Sequence, residues 1–177
     1  MKLGSSSYSD SLTTSNKLFR FTFSLLWVFI GTILPGRVLN DVKRGLINTF
    51  GGDCAKGAVI YSSVKIFNPR NLIMRSNSTI GPNSIIYNVD RISIGEGTII
   101  SQYAHLNTAG HDFRKDDFPL IHAPIDIGTN CWVATEAYLG MGVRLGDEVI
   151  VGARSSVFKS IEKPGVYIGS PAKIINS

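Results

Sequence analysis

The sequence is short of charge, short of cysteine and without a long apolar run, and each shortage closes off a class of protein. Charged residues make up 18% against 44% hydrophobic, which excludes a disordered chain and points to a packed fold. The two cysteines, Cys54 and Cys131, are too few for a disulfide scaffold and show no metal-ligand spacing, so reduced thiols in a cytoplasmic protein are expected. The net charge of +5 comes from basic residues scattered along the chain, with a modest group at Arg37, Lys43 and Arg44. A nucleic-acid site needs a concentrated stripe, so no nucleic-acid partner is expected. An anionic cofactor or an acidic membrane surface accounts for the mild basic excess. The length of 177 residues allows one domain with a small appendage.

The longest apolar stretch, Phe21 to Leu34, has 14 residues between Arg20 and Pro35-Gly36. A bilayer span needs about 20, and a secretory signal would need small residues at a cleavage site, which are missing here. The stretch reads as a helix packed on the main body or a neighbouring subunit, or lying in a membrane interface with Trp27 and the basic residues at the boundary. Residues 1–16 read as a polar, flexible leader. Residues 37–50 place Val38, Val42, Leu46 and Ile47 at helical intervals, giving a second short amphipathic helix that Gly51-Gly52 stops.

What is abundant is glycine, at 18 residues, and a period of six. From Ile127 the chain divides into IGTNCW, VATEAY, LGMGVR, LGDEVI, VGARSS and VFKSIE. Each hexad opens on Ile, Val or Leu, usually followed by Gly, and carries a small or β-branched residue in fifth place. A six-residue period belongs to a parallel β-helix, in which the aliphatic residue enters a narrow prism and glycine is expected to permit the turn. Three hexads make a coil, so Ile127 should stack on Leu145, Val133 on Val151 and Leu139 on Val157. Upstream, Ile60-Ile66, Met74-Ile80-Ile86 and Ile94-Ile100-Leu106 keep the register. The breaks between them fall at one corner of the prism, and the longest, about 107–124, should leave it as an extruded loop of functional kind.

These hexads resemble the left-handed β-helix acyltransferases. The stretches YNVDRISIGEGTIISQYAHLNTAGHD (87–112), FPLIHAPIDIGTNCWVATEAYLGMGVRLGDEVIVGARSSVFKSI and VYIGSPAKII are similar to the maltose, galactoside and nodulation-type O-acetyltransferases. Within that group they most resemble acetyltransferases of colanic acid and exopolysaccharide synthesis. The resemblance covers residues 50–175 and implies an all-β, left-handed parallel β-helix over 51–177, preceded by short helices over 17–50.

It also implies a reaction: transfer of an acetyl group from acetyl-CoA to a hydroxyl, with a loop histidine as general base. The matching residue is His111, since an imidazole titrating near pH 6.5 suits removal of a proton from an attacking hydroxyl. The backbone N–H of Thr135 matches the donor to the thioester oxygen and its oxyanion. Trp132, Thr135, Ala153 and Lys159 match coenzyme A contacts, and Lys173 can stand in for a C-terminal arginine that this sequence lacks. Phe158 replaces a residue that is often threonine. For the acceptor, Asn83, Tyr87, Asn88, His105 and Asp112 match or neighbour polar positions facing the loop. His122 reads as structural.

No resident metal is expected. Zinc chemistry of the γ carbonic-anhydrase type needs histidines converging from stacked coils and a neighbouring subunit, whereas His105 and His111 are six apart along one coil. The family implies a homotrimer with active sites shared between prisms and a saccharide acceptor, here in surface-polysaccharide synthesis; the cysteines point to a cytoplasmic location, and residues 17–50 offer membrane contact as a second role beside protein packing. The alternative is a non-catalytic β-helix that binds sugar or serves assembly at the membrane.

Overall fold

A computed structural model describes residues 13–33 and 39–175. The expected leader falls largely outside them, as do Pro35, Gly36, Arg37, Val38 and Asn176.

The apolar stretch belongs to a longer helix, α1 (Thr14–Ile33). The helix starts early because the Thr13 hydroxyl caps it, accepting from the Asn16 N–H at 3.3 Å. The second helix, α2 (Asn40–Thr49), ends at Gly51, whose N–H donates to the Asn48 carbonyl and whose φ is +86°. Its buried side is Lys43 and Ile47, while Val42 is exposed, so the inward stripe differs from the one the spacing suggested.

From Asp53 onward the chain winds as a parallel β-helix with three faces. Asp53–Cys54, Leu72–Met74, Ile92–Ile94, Ile125–Ile127 and Arg144–Leu145 stack on the first face. Val59–Ile60, Thr79–Ile80, Ile99–Ile100, Trp132–Val133 and Val149–Val151 form the second, which the terminal hairpin Gly165–Ile168 and Lys173–Ile174 extends. Lys65–Ile66, Ile85–Tyr87, His105–Asn107, Tyr138–Leu139 and Ser156–Val157 form the third. The expected stacking holds: Ile127 lies beside Leu145, Val133 beside Val151 and Leu139 beside Val157.

The prism is filled by one aliphatic column per face, such as Ile60, Ile80, Ile100, Val133 and Val151, all fully buried. Fifth-position residues line the corners as small side chains: Ala58, Ser78, Thr98, Cys131 and Val149 at one, Val64, Ser84, Ala104, Ala137 and Ser155 at the next. Buried hydroxyls there find acceptors, as Thr98 does on the Gly128 carbonyl at 2.7 Å.

Glycine serves the turns differently from the sequence expectation. The left-handed backbone position is the fourth of each hexad, held by Asn130, Glu136, Gly142, Glu148 and Arg154. Second-position glycines such as Gly128 and Gly146 are needed for close approach between coils instead, whereas Gly140 has ordinary clearance. A Cβ on Gly128 would lie 2.5 Å from the Asp147 Oδ1, and one on Gly146 would lie 2.5 Å from the Glu162 carbonyl oxygen.

The two helices close the first end of the prism. Phe23 and Trp27 are buried against it, and the Trp27 indole N–H donates to the Val64 carbonyl at 2.9 Å. Trp27 is therefore part of the core rather than a residue at a membrane boundary. Side-chain amides of α2 complete the first coil's backbone bonds: Asn48 Oδ1 accepts from Cys54 N at 2.8 Å and Asn40 Oδ1 from Ile60 N at 2.9 Å. The rest of α1 leaves Leu18, Phe21, Leu25, Val28, Phe29 and Ile33 exposed. No helix among the described residues is long and apolar enough to cross a membrane.

All the irregular segments fall at the corner between the third and first faces. A 3-10 turn (Pro69–Asn71) occupies it after the first coil, and the long loop leaves it after His105–Asn107. That loop is an antiparallel hairpin, Ala109–His111 with Leu120–His122.

Candidate active site

His111 stands at the end of the hairpin's first strand, paired in register with Leu120, and is exposed. Its Nδ1 lies 2.6 Å from the Phe118 carbonyl oxygen. A carbonyl can only accept, so in the neutral ring Nδ1 carries the hydrogen and Nε2 carries the lone pair. The neighbouring Asp112 carboxylate accepts from both the N–H and the Nε of Arg114 at 3.1 Å, and these bonds hold its carboxyl below the usual range. Asp112 therefore fastens the hairpin turn. His122 Nδ1–H donates to Asp90 Oδ2 at 2.8 Å. Burial pushes the Asp90 carboxyl up, but bonds from His122 and the Arg91 N–H outweigh it and leave it lowered.

Beside the loop, the outer side of the third face carries His105, which makes an edge contact with the Tyr138 ring at 5.4 Å. Burial pushes the His105 imidazole below its ordinary value. The Asn107 amide donates to the Tyr138 hydroxyl at 3.0 Å, and Tyr87 is in register with Asn107 one coil below. Tyr138 escaped the sequence reading. Its sixth place in a hexad, like that of His105, is an outward position, and the stacking of His105 on Tyr138 was readable from that.

The remaining expected residues separate. Tyr87 packs on Phe67 at 4.7 Å, on the side of the face nearer α1. Asn83 occupies a left-handed corner position with φ +60° and is exposed. Asn88 must be corrected: it is fully buried, its Oδ1 accepting from Asn68 N at 2.9 Å and its Nδ2 donating to the Asn68 carbonyl at 2.6 Å. Both halves of its amide are spent on backbone, so it shapes the corner and cannot reach an acceptor.

Thr135 and Ala153 lie one above the other at the corner between the second and third faces, where the Arg154 N–H donates to the Thr135 carbonyl at 2.9 Å. The Thr135 N–H has no acceptor among the described residues, a property it shares with Ala153 and owes to the turn itself. Trp132 stands on the outer side of the second face, half exposed, its indole N–H donating to Ser101 Oγ at 2.9 Å. Lys159 and Lys173 come together, with Lys163, around a cleft of about 430 Å³ between the last coil and the terminal hairpin. Lys163 was missed because it lies beyond the last full hexad, where the repeat no longer predicts facing.

Within one chain, then, the Thr135 corner and the His111 corner lie at opposite edges of the third face. At about 3.3 Å per residue, the strand between them separates them by roughly 15–20 Å. Among the described residues no group of three or more His, Cys, Asp or Glu side chains could hold a metal ion.

No family model matches the sequence. A protein of Escherichia coli (strain K12), WcaF, assigned by name to colanic acid biosynthesis as an acetyltransferase, is 38% identical over 153 residues, covering 85% of this chain and 84% of its own. The chain belongs to the hexapeptide-repeat, acyl-CoA-dependent acetyltransferases. The galactoside O-acetyltransferase of the same organism is 32% identical over 139 residues, covering 76% of this chain and 68% of the relative. A hexapeptide-repeat acetyltransferase of Vibrio cholerae, solved with acetyl coenzyme A, superposes with a TM-score of 0.79 at 22% identity, covering 99% and 95% of the two chains. The winding of this hexapeptide-repeat acetyltransferase is the left-handed β-helix of the family.

Proposed function

We propose that this acetyltransferase moves an acetyl group from acetyl-CoA to a hydroxyl of a saccharide during surface-polysaccharide synthesis. The carrying observation is the pose of His111: its Nδ1 is held by the Phe118 carbonyl, which orients Nε2 as a base at the rim of an extruded hairpin. The relative assigned to colanic acid biosynthesis supports a polysaccharide acceptor.

His111 Nε2 takes the proton of the acceptor hydroxyl as its oxygen attacks the thioester carbonyl carbon. The Thr135 N–H donates to the oxygen that gains charge. When the carbon–sulfur bond breaks, the imidazolium returns its proton to the leaving thiolate, and the histidine is ready again. Lys159, Lys173 and the newly found Lys163 receive the phosphates of the donor as flexible cations, with Trp132 and Ala153 along its pantetheine arm. His105, Tyr87, Asn83 and Asp112 border the acceptor side.

The separation of the His111 and Thr135 corners supports a homotrimer, in which the hairpin of one prism faces the Thr135–Ala153 edge of the next. Residues 51–177 then form the catalytic domain, with 107–124 as its loop, in a cytoplasmic protein. The exposed apolar stripe of α1 supports peripheral contact with the cell membrane. Vesicle flotation of the intact protein beside Phe21→Glu/Phe29→Glu tests that contact.

The decisive experiment follows thiol release from acetyl-CoA with candidate glycans. His111→Ala should lower kcat by about 10²–10⁴ with little change in the KM for acetyl-CoA. Unchanged turnover in that variant would remove His111 from the mechanism.

A further inference from the structure

We propose that the phenolic hydroxyl of Tyr138 determines acceptor specificity: it is a hydrogen-bond donor fixed beside the His111 hairpin, and it takes an oxygen of the saccharide near the hydroxyl that is acetylated. This inference rests on the acetyltransferase reading and adds an acceptor contact to it.

The direction of the phenol is set by the amide of Asn107. A backbone N–H can only donate, and the Ala109 N–H is accepted by Asn107 Oδ1 at 3.1 Å. With the amide oxygen committed to that side, Nδ2 faces Tyr138 and donates to its hydroxyl at 3.0 Å. The Tyr138 oxygen therefore accepts from Asn107, and its own hydrogen must point elsewhere. Among the described residues that O–H meets no acceptor. Tyr138 is half-buried, so the hydrogen is offered to whatever occupies the outer side of the third face. A site built around such a donor discriminates against a ligand that lacks the matching oxygen, because the donor is then left unpaired.

The ring is placed as firmly as the hydroxyl. His105 meets it edge-on at 5.4 Å and Phe158 lies against it at 5.7 Å. Gly140 has no side chain to block it: a Cβ there would lie 3.5 Å from Tyr138 Cε1. The ring thus leans over Gly140, toward the corner that the hairpin leaves. The hairpin rests on the same corner, since a Cβ on Gly110 would lie 3.7 Å from the Cε of Met141, the residue after Gly140. Two hydrogen bonds, Ala109 to Asn107 and Asn107 to Tyr138, link the phenol to a strand residue two places, about 7 Å, from His111. That length is comparable with one sugar ring. A saccharide whose hydroxyl meets His111 therefore presents another of its oxygens to Tyr138.

Thiol release from acetyl-CoA by the intact chain tests it, with methyl galactoside, methyl glucoside and methyl mannoside as acceptors and then the monodeoxy forms of the best of them. Tyr138→Phe should raise the KM for that acceptor about three- to tenfold, with little change in kcat or in the KM for acetyl-CoA. One monodeoxy form should be poor for the wild type and no poorer for Tyr138→Phe, which identifies the oxygen that the phenol holds. Asn107→Asp keeps an oxygen for the Ala109 N–H and puts a second where the amide nitrogen stood, so the phenol turns its hydrogen inward. That variant should show the same raised KM and the same lost discrimination with the hydroxyl intact. An unchanged acceptor KM in either variant, or a Tyr138→Phe penalty equal for the parent sugar and all its deoxy forms, overturns the inference while leaving acetyl transfer in place. No thiol release by the wild type with any of the three glycosides defeats the underlying activity, and the inference with it.

Discussion

Replacing Gly95 by alanine presses one coil of the prism against the next. The new Cβ would stand 2.2 Å from the Gly128 carbonyl oxygen, 2.4 Å from its carbon and 2.8 Å from the Thr129 nitrogen, where ordinary contact begins at 3.4 Å. All three are backbone atoms, so no side chain can swing aside and the coils must part by about 1 Å. At that place they are joined by bonds from Gly95 N to the Ile127 carbonyl and from Asn130 N to the Glu96 carbonyl, each 2.8 Å long. Losing the two costs about 2 kcal/mol. Overpacking adds about 1–3 kcal/mol, for a total of roughly 3–5 kcal/mol. In a chain of this size that lowers Tm by about 10 °C. Thermal unfolding followed by far-UV circular dichroism, at one protein concentration, reads the shift. Two controls isolate the cause. Gly140→Ala meets its nearest atoms at 3.4 Å and Gly45→Ala, in α2, meets nothing within 4 Å. The first should change stability by less than about 1 kcal/mol, and the second should stabilise by up to about 1 kcal/mol through helix propensity. If Gly95→Ala matches Gly140→Ala, close coil approach is not why glycine occupies position 95.

Two further predictions concern titrating groups. Burial lowers the His105 pKa in the folded protein, so the unfolded chain binds more protons as pH falls through the ordinary histidine range, and stability is lost there. Wild-type Tm should drop further than that of His105→Gln between pH 7.5 and 5, and a difference between them that ignores pH would refute this. Burial, with Asp53 adding and Arg44 opposing, pushes the Cys54 thiol up to about 12, and burial raises Cys131 as well. Both should resist Ellman's reagent at pH 8 in the native protein and react after unfolding in guanidinium. Rapid reaction of either thiol in the folded state would contradict their placement in the prism.

The fold was legible because a solenoid writes its geometry into period and register. A residue such as Val133 is buried for the same reason as Val151, and the spacing states both. The role of Gly128 was not legible, since clearance against Asp147 depends on how tightly coils stack rather than on the local turn. Capping by Thr13 could have been read from the Thr13-to-Asn16 segment, yet the polar leader was carried to residue 16 and the helical segment begun at 17. At the site, the His111 motif is local and was visible. Asn88 was misjudged because polarity says nothing of facing when a residue sits in a corner. Lys163 became apparent only when the terminal hairpin folded back onto the prism, a contact that no repeat encodes.

The amides of Asn40 and Asn48 have a consequence for assembly on a larger scale. A column of identical rungs has no natural length, and its bare end is a template on which another column can grow. By occupying the first coil's hydrogen-bonding groups with side chains that continue into a helix, α2 acts as a chain terminator and gives a potentially endless fibre a fixed beginning.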